Sequence, residues 1–349
     1  MLRSDREEWG SWVCAFARNL AFLAILGVPI LGGCASSSGA IEDGRVSATT
    51  LDSALEGRPM AYSVYTPPGW DGETPLPLVV FLHGGGDDET VLFEHAQITA
   101  TFDEWIEAGV LDPFILVAPD GERGFWMNWH DGSHHYEDFV VDEVIAAMRA
   151  DYPIAEGREN LHLMGISMGG AGTIYTTVHH IDRFASATVL SAPIFDTDRT
   201  MNFLNGGFMR RVPVERIFGP VGPEDRERVA ASNPFEQLQS AADLHGTRLF
   251  LGVGRRDIPG LLPSNREFHR HLVEHDVPHH YAEYRGGHDW RSWSRLFPIA
   301  LCLHTRAEAC ALADSRFLEL ERDGRVEDLA RGFDVARPAP SSGDESASE

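Results

Sequence analysis

The segment Gly165-Ile166-Ser167-Met168-Gly169-Gly170 constrains the fold of this chain more than any other. It follows a short apolar run, Leu161-His162-Leu163-Met164, and precedes a helix-compatible stretch from Ala171 to Val178. The spacing predicts a strand, a sharp turn and a helix, with Ser167 at the turn. Backbone at so tight a turn is strained. Side chains two positions before and after the serine collide with the elements it joins, and glycine removes the offending Cβ. The next N–H, that of Met168, then faces the space beside the hydroxyl, where a developing negative oxygen can be held. A serine flanked in this way also arises by chance in a chain with 34 glycines, so the pattern needs partners elsewhere.

Three partners follow in a meaningful order. Upstream, Leu78-Val79-Val80-Phe81-Leu82 is an apolar, β-rich run ending in His83-Gly84-Gly85-Gly86. A glycine-rich backbone after a strand offers N–H donors to an oxyanion; Gly85 is the first candidate and Gly86 the second. His83 itself reads as a hydrogen-bonded structural histidine, because the base of such a site comes late in the chain. Downstream, Arg248 to Gly254 reads as a buried strand leading to Asp257. His279 to Tyr284 reads as another strand, followed by Gly286-Gly287-His288-Asp289-Trp290. The order Ser167, Asp257, His288 assigns a nucleophile, a base and an acid that orients the base. Asp289, next to His288, reads instead as a helix cap. The paired histidines His134-His135, His179-His180 and His279-His280 read as ordinary surface or loop residues, and no metal-binding spacing is present.

With these residues in view, the chain resembles the esterase family of α/β-hydrolases that includes esterase D, feruloyl esterases, short-chain acyl esterases and the secreted mycolyltransferases. The resemblance is carried by Tyr62 to Gly69, by His83 to Gly86 and by Ala118-Pro119-Asp120-Gly121. It continues in Gly165 to Gly170, His180 to Phe184, and Gly286 to Trp290 with Trp293. It covers roughly residues 45 to 304. It implies a triad of Ser167, Asp257 and His288, and an oxyanion hole from the amides of Met168 and Gly85. It also implies hydrolysis of short acyl esters, or of acetyl or feruloyl groups on carbohydrate, without metal or organic cofactor. Transfer of the acyl group to a sugar hydroxyl uses the same triad and stays open. So does a non-catalytic binding role in the cell envelope. The chain departs from the family at both ends, and its third loop position is glycine where many members carry a bulkier residue.

Alternating β and α signals predict an α/β fold: a mostly parallel central sheet with helices on both faces. Arg58 to Tyr65 reads as an early antiparallel strand. Phe114 to Ala118, Leu161 to Met164, Ala187 to Ser191 and Arg248 to Val253 join Leu78 to Leu82 as buried strands. Val141, Val144, Met148 and Tyr152 mark one face of a helix that Pro153 ends. Residues 195–240 interrupt the alternation and read as a small cap over the site. Trp126 and Trp129 follow a strand's carboxyl end, where ligands gather in open α/β sheets. With Trp290 they are candidate substrate contacts.

The chain has 349 residues, enough for one large domain between its two ends. Residues 45–304 are expected to form the catalytic domain. A formal charge of −24 argues against nucleic acid as a partner. All 29 basic residues are arginine, which excludes a lysine nucleophile. Residues 1–33 read as a signal peptide: Leu20 to Leu31 is apolar but short for a bilayer span, and Leu31-Gly32-Gly33-Cys34 resembles a bacterial lipobox. Cys34 is then the lipid-bearing residue, residues 34–44 are a flexible tether, and the chain is an exported, membrane-anchored lipoprotein. Residues 305–337 are expected to form a helical extension and 338–349 a disordered tail. Cys302 and Cys310 are a candidate disulfide; in one straight helix they lie about 12 Å apart, so a bridge requires a break between them.

Overall fold

The computed structural model describes residues 45–94 and 98–305. Cys34, Cys310, the leader, the tether and the C-terminal extension and tail lie outside the described residues. Eight strands form one sheet in the order β1-β2-β4-β3-β5-β6-β7-β8. They are β1 (Val46–Ser53), β2 (Arg58–Tyr65), β3 (Leu78–Leu82), β4 (Ile115–Pro119), β5 (Leu161–Ile166), β6 (Ser186–Leu190), β7 (Arg248–Gly254) and β8 (His280–Tyr284). β1 and β2 pair antiparallel, as do β2 and β4; from β4 to β8 every pairing is parallel.

The apolar runs explain the layers. Successive strand residues point to opposite faces, so a strand buried on both sides is apolar throughout. In β3, Val79 and Phe81 enter one core, while Leu78, Val80 and Leu82 enter another. The first face is covered by helix α1 (Ile98–Glu107), through Ile98 and Phe102, and by the C-terminal helix of the domain, Phe297–Thr305. The opposite face is covered by a helical stretch that is π-helical over Phe139–Val144 before continuing as α2 (Ile145–Asp151). Val141, Val144 and Met148 face its core, and the helix ends at Asp151, with Tyr152 already extended before Pro153. Helices α3 (Met168–His179) and α4 (Leu261–Glu274) extend the same face, with Ile174, Phe268 and Leu272 in a third apolar cluster.

β1 carries no such sequence signal. Its interior residues from Ser47 to Thr50 are exposed, so it lacks the apolar run that marks the other strands. It is held by eight residue pairs with β2, a backbone interaction that leaves little trace in side-chain pattern.

α3 carries the serine turn, and its far end is anchored by a buried carboxylate. Glu137 accepts hydrogen bonds from His179 (2.8 Å) and His180 (3.1 Å). These histidines therefore have a structural task beyond the ordinary surface role. Burial pushes the Glu137 carboxyl up, but the two histidine contacts outweigh it and bring the group to about 2. Burial lowers His179, and the Glu137 contact more than reverses this, so its pKa is raised. The carboxylate's contribution to stability is present above its unfolded value near 4.3 and is lost as pH falls toward 2. The histidine's contribution is present below its unfolded value near 6.5 and is lost as pH rises through its raised pKa. The link is therefore strongest between about pH 4.5 and 6.5. Glu137→Gln is expected to cost on the order of 2 kcal/mol in that window, measured as Tm against pH. A variant curve parallel to wild type across pH 3 to 8 would contradict this coupling.

Candidate active site

The serine turn forms as the sequence predicts. β5 ends at Ile166, α3 begins at Met168, and Ser167 between them has φ 54° and ψ −117°. A Cβ at Gly165 would lie 2.3 Å from the Gly169 carbonyl oxygen, and one at Gly169 would lie 2.0 Å from the Leu82 carbonyl oxygen. Both glycines are therefore required by close approach of backbone. The Ser167 N–H donates to the Leu190 carbonyl (2.8 Å), tying the turn to the end of β6.

His288 lies after β8 and Asp257 after β7, both at the carboxyl edge of the parallel strands. His288 Nε2 is 2.8 Å from Ser167 Oγ, and His288 Nδ1 is 2.6 Å from Asp257 Oδ1. A carboxylate only accepts, so Nδ1 carries the proton and Nε2 is free to accept that of Ser167. Burial pushes the Asp257 carboxyl up, but hydrogen bonds from His288 and Ser191 outweigh this and hold it below the usual value. Asp257 therefore stays ionised and able to stabilise an imidazolium. Asp289 caps the short turn Trp290–Trp293 by accepting from the Ser292 N–H (2.9 Å), as its position beside His288 suggested.

The glycine loop lies against the serine turn. A Cβ on Gly84 would be 3.5 Å from Ser167 Cβ, and one on Gly85 would be 3.8 Å from Met168 Cβ. His83 is buried and sets the loop: its Nδ1 donates to the Gly84 carbonyl (2.8 Å), while its Nε2 accepts from the Gly121 N–H (2.9 Å). The Asp87 N–H also reaches the Gly84 carbonyl, at 3.3 Å. Because the peptide is planar and trans, fixing that carbonyl fixes the direction of the Gly85 N–H. Met168 is the first residue of α3, so its N–H has no acceptor within the helix. Gly86 has φ +96°, which requires glycine; at Gly85 an added Cβ would make only ordinary contact with Met168, at 3.8 Å, so neither strain nor a clash requires glycine there.

The three tryptophans differ in burial. Trp126 is only 1 % exposed and cannot form an open pocket wall. Its ring fills the space left by Gly121 and Gly172, and its Nε1 donates to the His83 carbonyl (3.1 Å). Through this bond it braces the start of the His83–Gly86 loop. Trp290 packs near Phe81 and Phe297 in the core beside α1. Trp129 is partly buried, donates to the Gly124 carbonyl (3.2 Å), and lies under the Arg216 guanidinium, 5.2 Å from its ring centre.

Arg216 belongs to the 195–240 segment, which contains the helical stretches Thr197–Leu204, Val214–Phe218, Arg226–Ala231 and Pro234–Gln237. This segment leaves the carboxyl end of β6 and is fastened to the 125–133 loop. Phe218 meets Phe125 edge to face at 5.1 Å, Arg216 pairs with Asp131 at 2.7 Å, and the His130 N–H donates to the Ile217 carbonyl.

Sequence reading missed Ser191. It follows β6, has φ 51°, and contacts Asp257, Tyr284 and Trp293. No motif marks it; its positive φ is visible only in three dimensions. Among the described residues, no group of three or more His, Cys, Asp and Glu side chains is arranged to hold a metal ion.

A mostly parallel sheet of this order, with a serine at a strand-to-helix turn facing a late histidine, defines an α/β-hydrolase. The sequence model of the Esterase family, described as "Putative esterase", matches residues 53–303, and the chain belongs to that family. It is 25% identical over 195 residues to an acetyl esterase of Caldicellulosiruptor saccharolyticus, covering 53% of this chain and 69% of that protein. It is 26% identical over 246 residues to an esterase of Mycobacterium tuberculosis, covering 62% of this chain and 49% of that longer protein. Among solved structures, a ferulic acid esterase superposes with a TM-score of 0.63 at 22% identity, covering 75% of this chain and 97% of that one.

Proposed function

We propose that this member of the Esterase family is a serine carboxylesterase acting on short-chain acyl or carbohydrate-linked esters of the acetyl or feruloyl type. The observation that carries the reading is the continuous hydrogen-bonded line from Asp257 through His288 to Ser167. In the first half-reaction, Ser167 Oγ attacks the ester carbonyl while His288 Nε2 takes its proton. The Met168 and Gly85 N–H groups receive the negative oxygen. His288 then donates its proton to the departing alcohol, leaving an acyl group on Ser167. Water, deprotonated by His288, releases the acid and restores the serine. The name of the relative from C. saccharolyticus supports an acetyl ester.

The test is a series of p-nitrophenyl esters of increasing acyl length, combined with a fluorophosphonate probe and peptide mapping. Turnover of short acyls with the probe on the peptide containing Ser167 is expected. Turnover with no label on that peptide would overturn the serine mechanism. We also propose that the protein is exported and anchored by lipid on Cys34, a reading supported by the apolar run ending at Leu31-Gly32-Gly33-Cys34. An alkyne fatty acid fed to expressing cells should label the wild type and not Cys34→Ser; equal labelling of both would rule this out.

A further inference from the structure

We propose that Ser191 is a positioning residue for this chemistry: with Tyr284 and Trp293 it holds the Asp257 carboxylate, and through it His288, in the orientation that receives the Ser167 proton. The inference rests on the serine-hydrolase reading above.

A serine hydroxyl has one proton, and its use here is determined by the partners. Ser191 Oγ lies 2.5 Å from Asp257 Oδ2; the carboxylate only accepts, so Ser191 donates to it. The Tyr284 hydroxyl at 2.8 Å and the Trp293 Nε1 at 3.0 Å are then donors to Ser191 Oγ. Ser191 is fully buried, with one hydrogen bond donated and two accepted. On the carboxylate, Oδ1 receives His288 Nδ1 and the Ile258 N–H (2.8 Å). Oδ2 receives Ser191 and a longer bond from the Gly254 N–H (3.2 Å). Without the Ser191 hydroxyl, the longer contact is the only one left on Oδ2 among the described residues, and the Tyr284 and Trp293 donors lose their bond to Ser191.

The backbone points the same way. Ser191 takes φ 51°, which L side chains rarely adopt, and such strain is retained where surrounding structure requires it. Its N–H donates to the Gly252 carbonyl (2.7 Å), and the preceding carbonyl, Leu190, receives the Ser167 N–H (2.8 Å). The end of β6 therefore holds both the nucleophile's backbone and the carboxylate at the other end of the relay. Trp293 closes the circuit, its ring standing edge-on to the His288 imidazole at 4.9 Å. The titratable groups facing this network are His288 and Tyr284, with Asp289 acting on Tyr284.

Loss of the Ser191 donor concentrates charge on Asp257. The carboxylate becomes a better acceptor for His288 Nδ1–H and stabilises the imidazolium, so the acidic limb of the pH profile moves to higher pH. The experiment measures kcat and KM against pH for a p-nitrophenyl ester with wild type, Ser191→Gly, Ser191→Ala, Tyr284→Phe and Ser167→Ala. Both Ser191 variants are expected to lose roughly tenfold in kcat with KM little changed, and to shift the acidic limb up by about half a pH unit. Glycine relieves the strained φ and alanine keeps it, so agreement between them assigns the effect to the hydroxyl. Tyr284→Phe preserves the fold of the strand end and should move the limb in the same direction by less. Unchanged kcat and limb, or a loss of kcat with no movement of the limb in any variant, would overturn the positioning role. Undiminished turnover by Ser167→Ala would instead bring down the serine-hydrolase reading itself.

Discussion

Ser167→Ala is expected to lower kcat by roughly 10³-fold or more on any ester the wild type turns over, with the Tm of the folded protein within about 2 °C of wild type. The asymmetry follows from where the side chain sits. Ser167 Oγ has His288 Nε2 at 2.8 Å, and its removal takes away the hydroxyl whose proton that nitrogen is placed to accept. The turn itself depends on the neighbouring glycines and on the Ser167 N–H bond to Leu190, both of which alanine preserves. Residual activity in the variant measures what the oxyanion amides contribute through a directly attacking water. Steady-state kinetics and a thermal melt on the same preparation make the check. A kcat within tenfold of wild type would mean that another residue is the nucleophile.

Gly169→Ala is expected to have the second largest effect, on the fold and the site together. The added Cβ would stand 2.0 Å from the Leu82 carbonyl oxygen and 2.5 Å from that of His83. Both are backbone atoms, at the junction of β3 with the oxyanion loop. They cannot rotate away as a side chain can, so α3 or the loop has to shift by an appreciable part of an ångström. Overpacking of this kind costs about 1–3 kcal/mol or more, and misplacement of a reacting group by 1 Å costs about 10²-fold in rate. The variant should therefore lose at least several degrees in Tm and about 10²-fold in kcat. Gly85→Ala is the matched comparison, because its Cβ would meet only Met168, at 3.8 Å. It should fold like the wild type and alter acyl preference. A Gly169→Ala protein with wild-type Tm and kcat would show that the serine turn can relax in a way the packing here forbids.

Much of the site is local, and that part is legible in the chain. The strand–turn–helix around Ser167 needs small residues at fixed offsets, so Gly165 and Gly169 announce it. The buried strands are apolar on both faces, so Leu78 to Leu82, Leu161 to Met164 and Arg248 to Val253 are visible as runs. Asp289 caps the turn it precedes, a short-range bond. β1 escapes because its stability comes from backbone pairing with β2 and not from its exposed interior side chains.

Other features belong to tertiary structure alone. Trp126 follows a strand end, where ligands gather, and its sequence position gives no sign that Gly121 and Gly172 leave a hole its ring fills. Ser191 looks like the last residue of a strand until Asp257, Tyr284 and Trp293, each distant in sequence, converge on its hydroxyl. The sequence by itself determined the serine turn and the buried strands, because these depend on steric rules and apolar runs within a few residues. Only the folded sheet decided the hydrogen-bond partners of Asp257, which tryptophan braces the His83–Gly86 loop, and where the 195–240 segment is fastened, because those contacts join residues that chain connectivity leaves far apart.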